Sequence, residues 1–385
     1  MKKRRLLAAL AGVSTILAVY ACSSAVGGDK NRMDRIEKSQ QFEAGKFKNP
    51  KIWNEPPLKE WGSTTWEFLF KDNQRVPKQQ LPRKNVDLSH FESPAADQLN
   101  VTWLGHSNLM INIDGYKIIT DPVFEKRVTI FGPSRFNGKL PLDIKEVNEV
   151  DLVIISHDHY DHLNKASVRL LNQRTKKFVT PLGVGERLQN WGVSADKIVE
   201  LDWWEEHRID DRLLIAATPA QHFSGRGLTD RNNTLWASWV IQTPNHNLFF
   251  SGDSGYFDGF KQIGQKYGPF DMTFLECGAY DEKWHFVHMF PEETVQAHID
   301  LKGKVLHPIH WGTYNLALHS WYEPMQRLAE AAQAEKIEIA TPVVGETTLF
   351  GVYIPRTPWW ETLIAEASQP VVADSVKGSF KNNLP

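Results

Sequence analysis

Between residues 101 and 310 the chain alternates short apolar runs with turn residues. The runs at 101–104, 108–113 and 116–120 have the length and spacing of strands joined by tight turns, the last of them at Asp114-Gly115. The run at 152–156 is almost continuously apolar, as a strand covered on both faces requires. Runs at 178–181, 198–202, 213–218, 236–242, 248–251, 272–275 and 305–310 predict further strands. Helices are expected at 162–172, 183–191, 291–301 and 322–334. Pro291 followed by Glu292 and Glu293 suits a helix start, because proline tolerates the first turn and acids complement the positive end of the helix. Strands interleaved with helices, and no repeat of short period, predict a layered α/β sandwich.

The ends of the chain read differently. Lys2, Lys3, Arg4 and Arg5 precede an apolar run at 6–21, which is short for a membrane span and right for a signal peptide over residues 1–21. The run ends at Ala21-Cys22, a junction that resembles the lipobox of bacterial lipoproteins. We therefore expect an exported protein with Cys22 lipidated. Ser23 in place of Asp after the cysteine points to the outer membrane of a Gram-negative host, facing the periplasm. Plain secretion with cleavage nearby is the alternative. Residues 22–45 are polar and aperiodic, which predicts a tether. Residues 46–98 are rich in Pro and Trp and are expected to wrap the outside of a domain spanning 46–350, with 351–385 as a tail.

With 385 residues and 41% hydrophobic content, the chain can bury a sizeable core. Its formal net charge of −2 gives no reason to expect a polyanionic partner, so no nucleic acid partner is expected. The only cysteine besides Cys22 is Cys277, at the end of an apolar run. It reads as a buried, inert thiol, and lipidation of Cys22 leaves no internal disulfide.

The segment 156–163, Ser-His-Asp-His-Tyr-Asp-His-Leu, follows a predicted strand and opens a predicted helix. Active sites of layered α/β folds gather at such strand ends. Three imidazoles and two carboxylates packed this closely cannot all be satisfied inside an apolar core. Imidazole nitrogens and carboxylate oxygens are what zinc takes as ligands. With 14 His in the chain, His-x-His-x-Asp-His arises by composition roughly once in a thousand such sequences, so coincidence is a weak explanation. His157, His159, Asp161 and His162 are one candidate donor group. His222, Asp253 and His310 each end a later apolar run and extend it. Asp121, before Pro122, reads equally as a turn residue and as a group orienting a ligand histidine.

This pattern resembles the metallo-β-lactamase superfamily, and within it N-acyl-phosphatidylethanolamine-hydrolysing phospholipase D. The segments that carry the closer resemblance are 101–106 (Val-Thr-Trp-Leu-Gly-His), 120–124 (Thr-Asp-Pro-Val-Phe), 201–206 (Leu-Asp-Trp-Trp-Glu-Glu), 249–256 (Phe-Phe-Ser-Gly-Asp-Ser-Gly-Tyr) and 309–313 (Ile-His-Trp-Gly-Thr). The segments 46–50 (Lys-Phe-Lys-Asn-Pro) and 288–293 (His-Met-Phe-Pro-Glu-Glu) belong with them. The resemblance implies an αβ/βα four-layer sandwich holding two zinc or similar divalent ions. One ion would sit on His157, His159 and His222, the other on Asp161, His162 and His310, with Asp253 bridging. It also implies a hydroxide between the metals as nucleophile, and suggests a homodimer.

The expected activity is phospholipase D-type hydrolysis of a phosphodiester in N-acyl-phosphatidylethanolamine-like lipids, at a membrane surface reached through the lipid anchor. A lactonase or other ester hydrolase on the same metal site is the second reading, since fold does not fix function. A non-catalytic metal-binding lipoprotein is the third. His288 and His106 are expected to contact the phosphate or protonate the leaving oxygen, with a structural histidine as the alternative for each. Tyr160 is expected to border the phosphate, and Trp284, Phe286 and Met289 to form an apolar substrate wall, with core packing as their alternative.

Overall fold

A computed structural model describes residues 29–52, 58–71, 73–130 and 132–368. The expectations for the signal peptide and for Cys22 lie outside the described residues. A small hairpin pairs β1 (Phe42–Glu43) with β2 (Lys46–Phe47). The first large sheet then runs through β3 (Leu99–Trp103), β4 (Leu109–Ile113), β5 (Tyr116–Thr120), β6 (Val150–Ile154), β7 (Thr175–Pro181) and β8 (Ile198–Leu201). The second holds β9 (Glu206–Arg208), β10 (Leu214–Thr218), β11 (Ser238–Gln242), β12 (Asn247–Phe250), β13 (Phe270–Glu276), β14 (Gly303–Ile309) and β15 (Glu338–Ile339). Finally β16 (Thr347–Leu349) returns to the first sheet and pairs with β3. The strand orders are β16-β3-β4-β5-β6-β7-β8 and β15-β14-β13-β12-β11-β10-β9. Each sheet is antiparallel at one end and parallel at the other, with the switch at β5/β6 in the first and β12/β13 in the second.

The alternation of side chains along β6 shows why its run is apolar throughout. Leu152 and Ile154 enter the core that the two sheets share, with Ile215, Trp239, Ile241 and Phe250 of the second sheet. Val153 and Ile155 point the other way, into a second core with Val168, Leu171, Val184 and Leu188 from the helices Lys165–Leu171 and Val184–Asn190. On the far face of the second sheet lie the helices Gly259–Lys266, Pro291–Asp300 and Glu323–Ala334, whose Phe260, Val295 and Leu328 pack against its outward side chains, as Phe260 does against Phe249. Helix, sheet, sheet, helix is the four-layer arrangement of a metallo-β-lactamase fold. The turn expected at Asp114-Gly115 is present, with φ of 52° and 89°, the two positive values that a tight hairpin of this kind needs.

Two boundaries differ from expectation. Within the stretch expected as tether, Lys30–Lys38 is a helix capped by Asp29 and packed through Ile36, with Arg32 Nε donating to Glu200 Oε2 at 2.5 Å. A few apolar positions in a polar stretch suffice, because they meet an already formed surface. At the other end Trp359 and Trp360 open the helix Trp359–Ser368 and are buried in the shared core. Among the described residues no helix is long and apolar enough to cross a membrane.

Candidate metal centre

The donors meet where strands of both sheets end. After β6 the chain turns at Ser156, whose N–H and Oγ–H donate to Asp121 Oδ1 and Oδ2 at 2.7 and 2.6 Å. Asp121 follows β5 with φ of 36° and also takes His162 Nδ1 at 2.7 Å. One buried carboxylate thus fixes both the start of the 157–162 loop and the ring orientation of His162. The helix expected from 162 begins only at Lys165, because the Asn164 side chain caps it by accepting from Ser167 N–H. Residues 157–163 are thereby left free to adopt the irregular backbone that brings four candidate donors together.

The opposing sheet delivers the rest. Gly252, at φ 55°, lets β12 run against Ser156: a Cβ there would lie 2.3 Å from the serine Cβ. Asp253 follows directly. His222 is held at both backbone groups by the Asn49 side chain, and its Nδ1 lies 3.0 Å from Val287 O. His310 follows β14 at φ 65°, and its N–H donates to His106 O.

Asp253 Oδ2 is the point of convergence. It lies 3.1 Å from His310 Nε2, 3.2 Å from His162 Nε2, 3.7 Å from His222 Nε2 and 3.9 Å from His157 Nε2. On one side His157 Nε2 and His222 Nε2 approach His159 Nδ1 at 2.8 and 3.3 Å. On the other, Asp161 Oδ2 lies 3.5 and 3.6 Å from the Nε2 atoms of His162 and His310. His157, His159 and His222 therefore form one donor group, and Asp161, His162 and His310, with His106 beside them, a second; Asp253 lies between.

The chemistry of these donors fits divalent metal. Nε2 of His162 and of His310 and Oδ1 of Asp253 are buried without a hydrogen-bond partner. Burial, reinforced by neighbouring imidazoles, holds His157 well below the usual histidine range. Burial also holds His222 well below it, and lowers His159 to about 4. Neutral imidazoles offer the lone pairs that a metal needs. Burial also disfavours charge on His162 and His310, but Asp253 and its fellow carboxylates outweigh it, raising His162 well above the usual value and His310 to about 9. The carboxylates thus favour positive charge where the two donor groups meet.

The remaining expected residues divide. His106 is 2% exposed and its Nε2 lies 3.0 Å from Asp161 Oδ2, so it stands with the second donor group. His288 is half-buried, its ring centroid 5.1 Å from that of His222 and 5.3 Å from that of His310. Tyr160 is half-buried and its O–H donates to Arg226 O at 3.0 Å. Trp284 donates from Nε1 to Ala279 O, and Phe286 is exposed. Met289 is removed from the expected wall: its side chain is fully buried in the shared core, where packing accounts for it. Cys277 is buried and free, its thiol pushed well up by burial.

Glu276 was not foreseen. It is fully buried at the end of β13, accepts Met289 N–H at 2.6 Å and lies 3.4 Å from His288 Nδ1. Burial holds its carboxyl well above the ordinary range. Asn49 was named only as part of a motif, and nothing in the sequence joined it to His222.

Residues 116–311 match the family model described as a beta-lactamase superfamily domain. The chain is 33% identical over 332 residues to the N-acyl-phosphatidylethanolamine-hydrolyzing phospholipase D 1 of Caenorhabditis elegans, covering 78% of this chain and 92% of that protein. It is 49% identical over 102 residues to the outer membrane protein RomA of Klebsiella pneumoniae, covering 26% of this chain and 76% of that protein. Among solved structures, an isothiocyanate hydrolase from Delia radicum gut bacteria superposes with a TM-score of 0.53 at 21% identity, over 66% of this chain and all of that one.

Proposed function

This chain belongs to the metallo-β-lactamase superfamily, on the branch that includes the worm phospholipase D, and from that premise we propose that it is a binuclear phosphodiesterase acting on N-acyl-phosphatidylethanolamine-like lipids. The observation that carries the hydrolase reading is the convergence of four imidazoles within 3.9 Å of one Asp253 oxygen, flanked by two donor groups. His157, His159 and His222 would hold one zinc or zinc-like ion, Asp161, His162 and His310 another, and Asp253 would bridge. Two such ions, when bound, supply activated water at neutral pH and neutralise charge on a phosphoryl oxygen.

The chain's own side chains do the rest. Asp121 keeps His162 in the tautomer that frees Nε2, and His106 steadies Asp161. His288 stands beside His222 and His310, where it can donate to the phosphate or the leaving oxygen. Ile52, Leu228 and Phe286 are exposed apolar side chains on segments that also carry Asn49, Arg226 and His288, which suits a lipid substrate.

We further propose that the protein is exported and lipid-anchored at Cys22 in the outer membrane, which would place the site beside its substrate. Mass spectrometry of the native amino-terminal peptide tests this, and an unmodified Cys22 or a different cleavage site overturns it. For the reaction, the zinc-loaded protein is offered N-acyl-phosphatidylethanolamine, an acyl-homoserine lactone and a chromogenic β-lactam. Release of N-acylethanolamine at the highest rate of the three is expected. Faster lactone turnover would leave the metal hydrolase standing and remove the phospholipid. No metal-dependent turnover at all would favour a binding role.

A further inference from the structure

The loop that carries His159, Asp161 and His162 is not held by its donors alone. Arg226, 8% exposed, reaches into it from the segment after His222. Its Nη1 donates at 2.7 Å both to Asp158 O and to Leu163 O, the carbonyls that flank the three donors. Its guanidinium carbon stands 3.8 Å from the ring centroid of Tyr160, and the Tyr160 O–H donates back to Arg226 O. The arginine is itself fixed. Its N–H donates to both Asp230 oxygens at 3.1 Å, and Asp230 Oδ2 accepts from Arg187 Nη2 at 2.8 Å. Arg187 Nε donates to Asp158 Oδ2 at 2.6 Å, and Gly225 N–H to Asp158 Oδ1 at 2.7 Å. Two buried cations and two mostly buried anions thus form a closed, formally neutral set. It ties the loop of the first sheet to the segment that follows His222 on the second.

The geometry points to Arg226 as a positioning residue that keeps the 158–163 loop in its donor-presenting shape before any metal arrives. One nitrogen drawing together the two ends of a six-residue loop fixes its span. The flat guanidinium fixes Tyr160, the residue between His159 and Asp161. Lysine keeps the charge but lacks both the reach and the planar face. A loop already in shape loses little conformational freedom on binding metal, so metal is held longer. Asp158, the one acid of the His-rich segment outside the donor groups, is then the anchor of this brace. The inference rests on the metal-binding part of the function proposed above and not on its substrate.

The test uses the full chain in two ways. In the metal-free wild type, hydrogen exchange should show the Leu163 amide, which donates to His159 O at 2.8 Å, protected together with its neighbours. Exchange at the rate of an open loop until zinc is added would overturn the inference. In Arg226→Lys and Arg226→Met, that protection should fall while the amides of β13 and β14 keep theirs. Zinc should be stripped by a chelator about 10–100-fold faster than from the wild type. For any substrate turned over, kcat should fall with KM within about twofold. A purely structural arginine predicts a lower Tm with unchanged zinc release in the folded fraction, and that result would also overturn it. Should the methionine variant fail to fold, the lysine variant and the wild-type exchange decide. Faster zinc loss in a protein that cleaves no phospholipid would keep the brace and remove the substrate reading.

Discussion

Asp253 carries more of the centre than any other side chain, because one of its oxygens faces both donor groups. Replacing it with asparagine keeps the shape and removes the charge that four imidazoles share. We expect Asp253→Asn to lose more activity than His106→Ala, whose ring supports Asp161 and should cost roughly 10–100-fold. Steady-state kcat/KM with matched zinc content checks this, and equal activity of Asp253→Asn and wild type would refute a binuclear site. At this scale the donors were legible because four of them lie within six residues and the others close apolar runs. Their supports were not legible. Asn49 meets His222 and Arg226 meets Asp158 across long stretches of sequence, and the partners are ordinary polar residues until the sheets bring them together. Met289 shows the converse: an apolar residue beside a candidate catalytic histidine looks the same in sequence whether it faces a cleft or a core.

The elements followed the apolar pattern closely wherever a strand is covered on both faces, as along β6, and where turn chemistry is specific, as at Asp114-Gly115. They departed where a side chain overrules periodicity, as Asn164 does in delaying a helix by three residues, and where short edge strands such as β9, β15 and β16 carry too few positions to show a pattern. The helix Pro291–Asp300 has its own pH signature. His298 is fully buried beside Thr273 Oγ1, and burial lowers its pKa from 6.5 to about 4. Between those values the unfolded chain binds the proton that the folded helix refuses, so this contribution is complete above pH 6.5 and is lost as pH falls toward 4. At about 1.4 kcal/mol per unit it amounts to about 3 kcal/mol. His298→Asn should flatten the stability profile between pH 6.5 and 4 in denaturant titrations, and an unchanged slope would count against the assignment. The terminal helix has a different part. Trp359 stacks on Trp311 at 5.1 Å, Trp311 on Trp103 at 5.6 Å, and Trp103 Nε1 donates to His106 O. Trp359→Ala should therefore cost about 3–5 kcal/mol of stability and also weaken zinc retention at the His310 side. Calorimetry and chelator competition would show both, and loss of stability alone would confine the helix to packing.

For the molecule as a whole, the two sheets are built alike and each contributes donors: His157, His159, Asp161 and His162 from the first, His222, Asp253 and His310 from the second. Elemental analysis of protein expressed with zinc should return close to two ions per chain, and well under one would sink the assignment. Removal of the ions should lower Tm, since the donors of both sheets then face one another uncompensated. The layered class was visible from the interleaving of strands and helices, whereas the closing of the first sheet by β16 was not, because nothing in a three-residue strand announces a partner 245 positions away. That closure bears on the order of events during biosynthesis. A chain emerging from the ribosome, or threading through a translocation channel amino end first, delivers its His-rich loop early. It cannot complete the sheet behind that loop until β16 arrives, nor seat the corner at His310 until Trp359 follows. A nascent chain thus exposes its candidate donors before the two elements that close around them, Thr347–Leu349 and Trp359–Ser368, have been made.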